Sequence, residues 1–172
     1  MMSEYNLVEE YFLQVEKMFD SGEYTDGKRL LEEILDMEPG YGRAHNHYGW
    51  LFYAKFDNYA KAEYHYRLAV KFAPDYPYGY FNLSCLLIDL KRYEEARTHA
   101  NEALNVATIN RSTMYNELGR IEEMCGNFKA AVANYSEAIR LSMSSNQIEA
   151  YKTNMERAKY KLDTFRRRFT LF

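Results

Sequence analysis

Four histidines, two cysteines and several paired carboxylates are the side chains in this sequence with the chemistry for metal binding or covalent catalysis. A metal needs its ligands on one face, and a nucleophile needs a base beside it. His45 and His47 lie two residues apart, so on a helix they point about 200° away from each other and cannot share one metal. His65 and His99 fall in other segments, with no carboxylate or cysteine at ligand spacing. Cys85 and Cys125 have no histidine at a spacing that suggests an activated thiolate. Glu9-Glu10, Glu32-Glu33 and Glu94-Glu95 are adjacent pairs, which diverge on a helix and read as solvated faces. There is no G-x-G-x-x-G or G-K-[ST] phosphate loop. The expectation is a protein that is not an enzyme and uses no metal or cofactor.

The elements that carry these residues are helical by composition. Hydrophobic residues make up 47% of the 172, enough for a core, while 8 Gly and 3 Pro are few breakers for this length. Two cysteines make no disulfide framework, which points to a reducing compartment. The start, MMSEYNLVEE, is acidic at once and lacks the apolar core of a signal peptide. No run approaches the ~20 apolar residues of a membrane span. A cytoplasmic protein is expected. The net charge of −3 argues against nucleic acid as the main ligand. Charge is unevenly spread: residues 1–40 hold 11 acidic and 3 basic residues, residues 143–172 hold 3 acidic and 7 basic.

An internal repeat organises the chain. An aromatic follows a turn-like residue at Tyr24, Tyr59, Tyr93 and Phe128, with gaps of 35, 34 and 35. Three residues after each comes Gly27, Ala62, Ala96 or Ala131; seven later comes Ile34, Ala69, Ala103 or Ala138. Phe128, Ala131, Tyr135 and Ala138 form one stripe at the helical period. Small residues let a neighbouring helix approach, and the tyrosine fills the groove beside that contact. Each stripe has a second helix upstream of it. Breaks within the pairs are expected at Ser21-Gly22-Glu23, Asp57-Asn58, Lys91-Arg92 and Gly126-Asn127. Breaks between pairs are expected at Glu38-Pro39-Gly40, Ala73-Pro74-Asp75, Thr108-Ile109-Asn110 and Met143-Ser144-Ser145, where Pro39 and Pro74 remove backbone donors. The spacing predicts eight helices of roughly 12–15 residues.

This pattern resembles the tetratricopeptide repeat family, W-x2-L-G-x2-Y, then A-x3-F, then P, over about 34 residues. The fourth unit matches at Tyr115, Leu118, Gly119, Ala131 and Tyr135. The second matches at Tyr48-Gly49, Phe52, Ala62, Tyr66 and Pro74, with one extra residue at Asp57-Asn58. The third matches at Tyr80, Leu83, Ser84, Leu87 and Ala96. The first, the most divergent, keeps Tyr11, Met18, Gly27, Leu31 and Pro39. Glu122 stands where the fourth unit should bury a tyrosine, so either Ile121 takes that place or the end of the array is open. The resemblance covers about residues 5–142. It implies an all-α, right-handed superhelical array of about four helix-turn-helix repeats. The repeats fall at about 5–39, 41–74, 77–108 and 111–143 of a single domain. Residues 146–169 form one further amphipathic helix, with Ile148, Tyr151, Met155, Ala158, Leu162 and Phe165 on one face, which caps the array.

Arrays of this family carry ligands on a concave face lined by the first helix of each hairpin. The positions carried over from that resemblance include Phe12, Asn46, His47, Trp50, Tyr53, Tyr78, Phe81, Asn82, Asn116 and Arg120. Asparagines pair with an extended peptide backbone and aromatic pockets take its side chains. Some relatives hold a chaperone's C-terminal carboxylate with a Lys/Asn/Asn/Lys/Arg clamp. Those places hold Asn46, Trp50, Asn82, Thr113 and Glu117, of which only Asn82 agrees, so no clamp is expected. The resemblance thus implies a non-catalytic protein-interaction scaffold, an adaptor binding a peptide or protein segment in its groove. One alternative is a client-specific chaperone similar to bacterial type III secretion chaperones, which share the length and the short array. The other is a self-assembling structural subunit. The basic Arg166-Arg167-Arg168 and the apolar Phe169-Thr170-Leu171-Phe172, set against an acidic start, suggest weak, salt-sensitive self-association.

Overall fold

The computed structural model describes the backbone of residues 4–169 and the side chains of residues 7–165. The Arg166-Arg167-Arg168 side chains and the Phe169–Phe172 ending therefore lie outside the described residues. Among the described residues there are nine helices and no strand: α1 (Glu4–Ser21), α2 (Tyr24–Met37), α3 (Gly42–Ala54), α4 (Tyr59–Phe72), α5 (Pro77–Asp89), α6 (Tyr93–Ala103), α7 (Arg111–Met124), α8 (Phe128–Leu141) and α9 (Ser145–Phe169). No helix among them is long and apolar enough to cross a membrane. The chain divides into two compact units, Met1–Leu86 and Leu87–Phe172. In the first, α1 packs on α2, α2 on α3 and α3 on α4; in the second, α6 packs on α7, α7 on α8 and α8 on α9.

The turns inside the hairpins share one backbone device. Gly22, Asp57, Lys91 and Gly126 all have positive φ, at 81°, 49°, 59° and 79°. In three of them the next N–H reaches back five residues: Glu23 to the Met18 carbonyl at 2.8 Å, Arg92 to Leu87 at 2.9 Å and Asn127 to Glu122 at 2.8 Å. This is the left-handed closure that satisfies the orphan carbonyls of a helix end. The second turn holds the extra residue, so Asn58 N–H reaches back six, to Phe52 at 2.8 Å. Asn58 also starts α4, its side chain accepting from Lys61 N–H at 3.1 Å.

The small-and-large stripe has a concrete partner. Ala62, Ala69, Ala131 and Ala138 are fully buried, as is Tyr135, and Tyr66 is nearly so. A Cβ built on Gly49 would stand 2.7 Å from Cδ1 of Tyr66, and one on Gly119 would stand 2.5 Å from Cδ1 of Tyr135. Each tyrosine ring thus presses its Cδ1 and Cε1 atoms against the helix before it, at a spot only glycine leaves open. Around these contacts the first unit builds a core from Val8, Phe12, Val15, Leu31, Ile34, Tyr41, Ala44 and Leu51. In the second unit Ala158 of α9 joins Ala131 and Tyr135, with Val132 and Met155 beside them.

Two details depart from the simple repeat. α6 stops at Ala103, five residues before the expected break, because i→i−3 bonds from Asn105 to Glu102 and from Val106 to Ala103 tighten the chain. Ile109 of this connection is buried, and Asn110 starts α7 by accepting from Thr113 N–H at 3.2 Å. Of the two alternatives at Glu122, Ile121 does take the buried place, and α9 packs on α8 rather than leaving that end open, but Glu122 is buried as well. Ile121 is fully buried, and Glu122, almost as buried, accepts from Arg97 Nε at 2.6 Å and Asn127 Nδ2 at 2.8 Å. A buried carboxylate at this place is tolerated because a guanidinium from α6 meets it.

Candidate functional site

The first unit contains a cavity of about 420 Å³, built from α1, the start of α2, α3, the loop before α5, and α5 itself. Glu16, Phe19 and Asp20 line it from α1, Tyr24 from α2, Asn46, His47 and Trp50 from α3, Tyr76 from the loop, and Tyr78 and Asn82 from α5. Five of the ten expected groove residues, Asn46, His47, Trp50, Tyr78 and Asn82, are brought together here. They converge because each sits on the same face of the first helix of its hairpin.

Aromatic rings make one wall. Phe19, Tyr24 and Trp50 form a triangle with centroid separations of 5.7 Å (Phe19–Tyr24), 5.6 Å (Phe19–Trp50) and 5.6 Å (Tyr24–Trp50). Phe19 also tilts against His47 at 5.4 Å. Tyr76 and Tyr78 lie 5.4 Å apart, and Tyr78 is 59% exposed, so it projects towards solvent. An amide pair makes another wall: Asn82 Nδ2 donates to Asn46 Oδ1 at 2.9 Å. That bond uses one amide group of each residue, so Asn46 keeps its NH2 and Asn82 its carbonyl for another partner.

Burial sets the charge states around the cavity. His47 is pushed below the ordinary histidine value by burial, against a bond of Nδ1 with the Arg43 carbonyl at 3.2 Å, so at neutral pH it is uncharged. The Tyr76 hydroxyl is pushed up to about 12, chiefly by burial, and is protonated. Arg43 is occupied: it bonds Glu9 at 3.0 Å, stacks its guanidinium 4.2 Å over Phe12, and stands 3.8 Å from Glu16.

The other expected residues are placed differently. Phe12 is a correction: it is fully buried, edge-on to Tyr41 at 5.4 Å and to His47 at 4.9 Å, and belongs to the core rather than to a ligand surface. Tyr53 and Phe81 are half-buried and do not line the cavity, Tyr53 pairing with Tyr59 at 6.0 Å. Asn116 and Arg120 stand in the second unit. Asn116 is buried, donating to Glu117 at 3.1 Å and accepting from Asn154 Nδ2 at 3.0 Å, and Arg120 bonds Glu117 at 2.5 Å. The Asn116–Asn154 bond repeats the Asn46–Asn82 bond, so α9 occupies the place of the next first helix. Arg120 lines a separate cavity of about 340 Å³ with Lys91, Glu123, Arg157 and Lys161 among others.

Sequence reading missed three features. Tyr24 lines the cavity although it opens the stripe of α2, because the left-handed Gly22 folds α2 back beside α1. Tyr76 sits in a connection, which helical periodicity does not address. His45 and His65, expected in unrelated places, face each other with Nδ1 atoms 3.1 Å apart. His45 Nε2 is 2.9 Å from the Pro39 carbonyl, an acceptor only, so Nε2 carries the proton and His65 Nδ1–H donates to His45 Nδ1. Burial holds His45 below its ordinary value and His65 down at about 4, the latter with help from His45 and Lys61. Among the described residues no group of three His, Cys, Asp or Glu side chains is placed to hold a metal.

Comparison with known proteins places this geometry. Tetratricopeptide repeat profiles match residues 18–77 and 77–110, together more than half of the chain. Solved structures share the fold. One comes from a functional characterization of Pseudomonas aeruginosa PilF, with a TM-score of 0.82 and 20% identity over 94% of this chain and 72% of that one. Another is MamA, from residue 41 to its end, of Desulfovibrio magneticus RS-1, with a TM-score of 0.66 and 16% identity over 91% of this chain and 92% of that one. No curated protein matches. With helical hairpins, the glycine–tyrosine contact and the profile matches in agreement, this chain belongs to the tetratricopeptide repeat family.

Proposed function

We propose that the chain is a non-catalytic protein-interaction scaffold that holds an extended peptide segment in the cavity of its first unit. The observation that carries this reading is the convergence of Trp50, Tyr78 and the Asn46–Asn82 pair on one cavity of about 420 Å³. Aromatic walls supply apolar contact area, and the spare amide groups match the donor and acceptor of a peptide backbone. Trp50, although it packs against the first unit's core, and Asn82 are half-buried and Tyr78 is exposed, so all three keep surface for a ligand.

The test is peptide binding by the wild-type chain and by a Trp50→Ala, Asn82→Ala double variant whose helicity is first checked by circular dichroism. Peptides selected on the wild type should bind the folded variant at least tenfold more weakly. Equal binding to both would remove the site from this cavity.

A further inference from the structure

The cavity of the first unit is aromatic on one side and acidic on another. Glu16 and Asp20 stand one turn apart on α1, so their carboxylates share a face, and both line the cavity. Arg43 stands 3.8 Å from Glu16 but bonds Glu9 more closely, at 3.0 Å. Among the described residues no cation pairs with Asp20. His47, the remaining ionisable nitrogen on the lining, is held neutral by burial. The segment that supplies α1 and α2 is itself strongly acidic, with 11 acidic against 3 basic residues over 1–40. This field attracts cations and repels carboxylates.

A second observation points to the same ligand chemistry. The rings of Tyr24 and Trp50 already receive an ammonium from within the chain. Lys55, just beyond α3, places Nζ 4.0 Å from the Tyr24 centroid and 5.5 Å from the Trp50 centroid. These two rings thus accept a cation, from a lysine that does not itself line the cavity.

We propose that this cavity receives a lysine or arginine side chain of an extended partner peptide. The cation lies between the carboxylates of Glu16 and Asp20 and the rings of Tyr24 and Trp50. The peptide backbone meets the spare amide groups of Asn46 and Asn82. This deepens the scaffold reading and rests on it. It specifies the partner as a protein with an exposed, unstructured basic segment, and rejects segments ending in acidic residues.

The experiment uses the full chain and a display library of random peptides of about nine residues. Enriched peptides are synthesised as found and with each Lys or Arg replaced by Gln, and affinities are measured by fluorescence anisotropy. The expected result is a basic residue whose replacement weakens binding about tenfold, and a Glu16→Gln, Asp20→Asn variant that weakens the parent peptide by a similar factor but not the Gln peptide. Enriched peptides that ignore the Lys/Arg→Gln change yet still need Trp50 would overturn the cationic reading and leave the scaffold reading standing. Peptides indifferent to Trp50 and Asn82, or no enrichment at all, would overturn both.

Discussion

Tyr135 lies against Gly119 so closely that a Cβ on the glycine would come within 2.5 Å of two ring atoms. The ring cannot swing aside freely, because its hydroxyl donates to Glu123 at 2.9 Å. Gly119→Ala should therefore gain nothing from better helix propensity and cost roughly 1–3 kcal/mol through overpacking. Urea denaturation of the variant reads this directly. An unchanged midpoint would mean that the tyrosine relocates without loss.

Lys91 is the exposed left-handed residue of the third hairpin turn, where the first and fourth turns use glycine. A side chain in that conformation costs about 1 kcal/mol. Lys91→Gly should raise stability by roughly 0.5 kcal/mol, after the extra entropy of glycine in the unfolded chain is counted. A small upward shift in melting temperature is the expected readout.

Arg97 and Glu122 form an ion pair whose carboxylate is the more buried member, its side chain 11% exposed. Arg97→Ala strands that carboxylate and should cost roughly 2 kcal/mol, less than a fully buried pair because Asn127 still donates to it. Replacing both residues with methionine should restore most of the loss. A double variant no better than Arg97→Ala would show that the pair is not the source of the effect.

Acid should destabilise the fold in two separate windows. His65 has a folded value of about 4, below its ordinary 6.5, so the unfolded chain takes up the proton first. Its stabilising contribution is complete above pH 6.5 and is lost as pH falls towards 4. For Glu123, burial pushes the carboxyl up, but bonds from Arg157, Lys161 and Tyr135 outweigh it and hold the group at about 2, below the ordinary 4.5. Its contribution is complete above pH 4.5 and is lost as pH falls towards 2. Denaturant midpoints measured across this range should show both slopes, and His65→Gln should reduce the upper one, which His45 and His47 share, while leaving the lower one in place.

Much of the architecture was legible because its punctuation is chemical. Gly22 and Gly126 announce left-handed turns, Pro39 and Pro74 end helices, and the Ala62–Tyr66–Ala69 stripe declares its face. That Asn46, His47 and Trp50 of α3 and Tyr78 and Asn82 of α5 would come together was legible for the same reason, since one face of a periodic helix stays together in space, whereas Tyr53 and Phe81 fall outside that cavity. Phe12 was not, because whether Arg43 and His47 close over it depends on how α1 and α3 meet. Tyr76 follows no period, and the His45–His65 contact depends on an inter-helix distance that spacing along the chain does not encode.

The carboxylate of Glu123 is bonded by Arg157 and Lys161 of α9 and by Tyr135 of α8. A stacked array is commonly pictured as a row of modules that can peel from an end one at a time. Here the terminal helix cannot leave alone. Its departure would expel two of the three donors from a side chain that is 4% exposed, and that residue's remaining bond is the one fixing the ring on Gly119. At Arg157 and Lys161, α9 is thus locked onto α7 and α8, and the three helices should open as a single cooperative block.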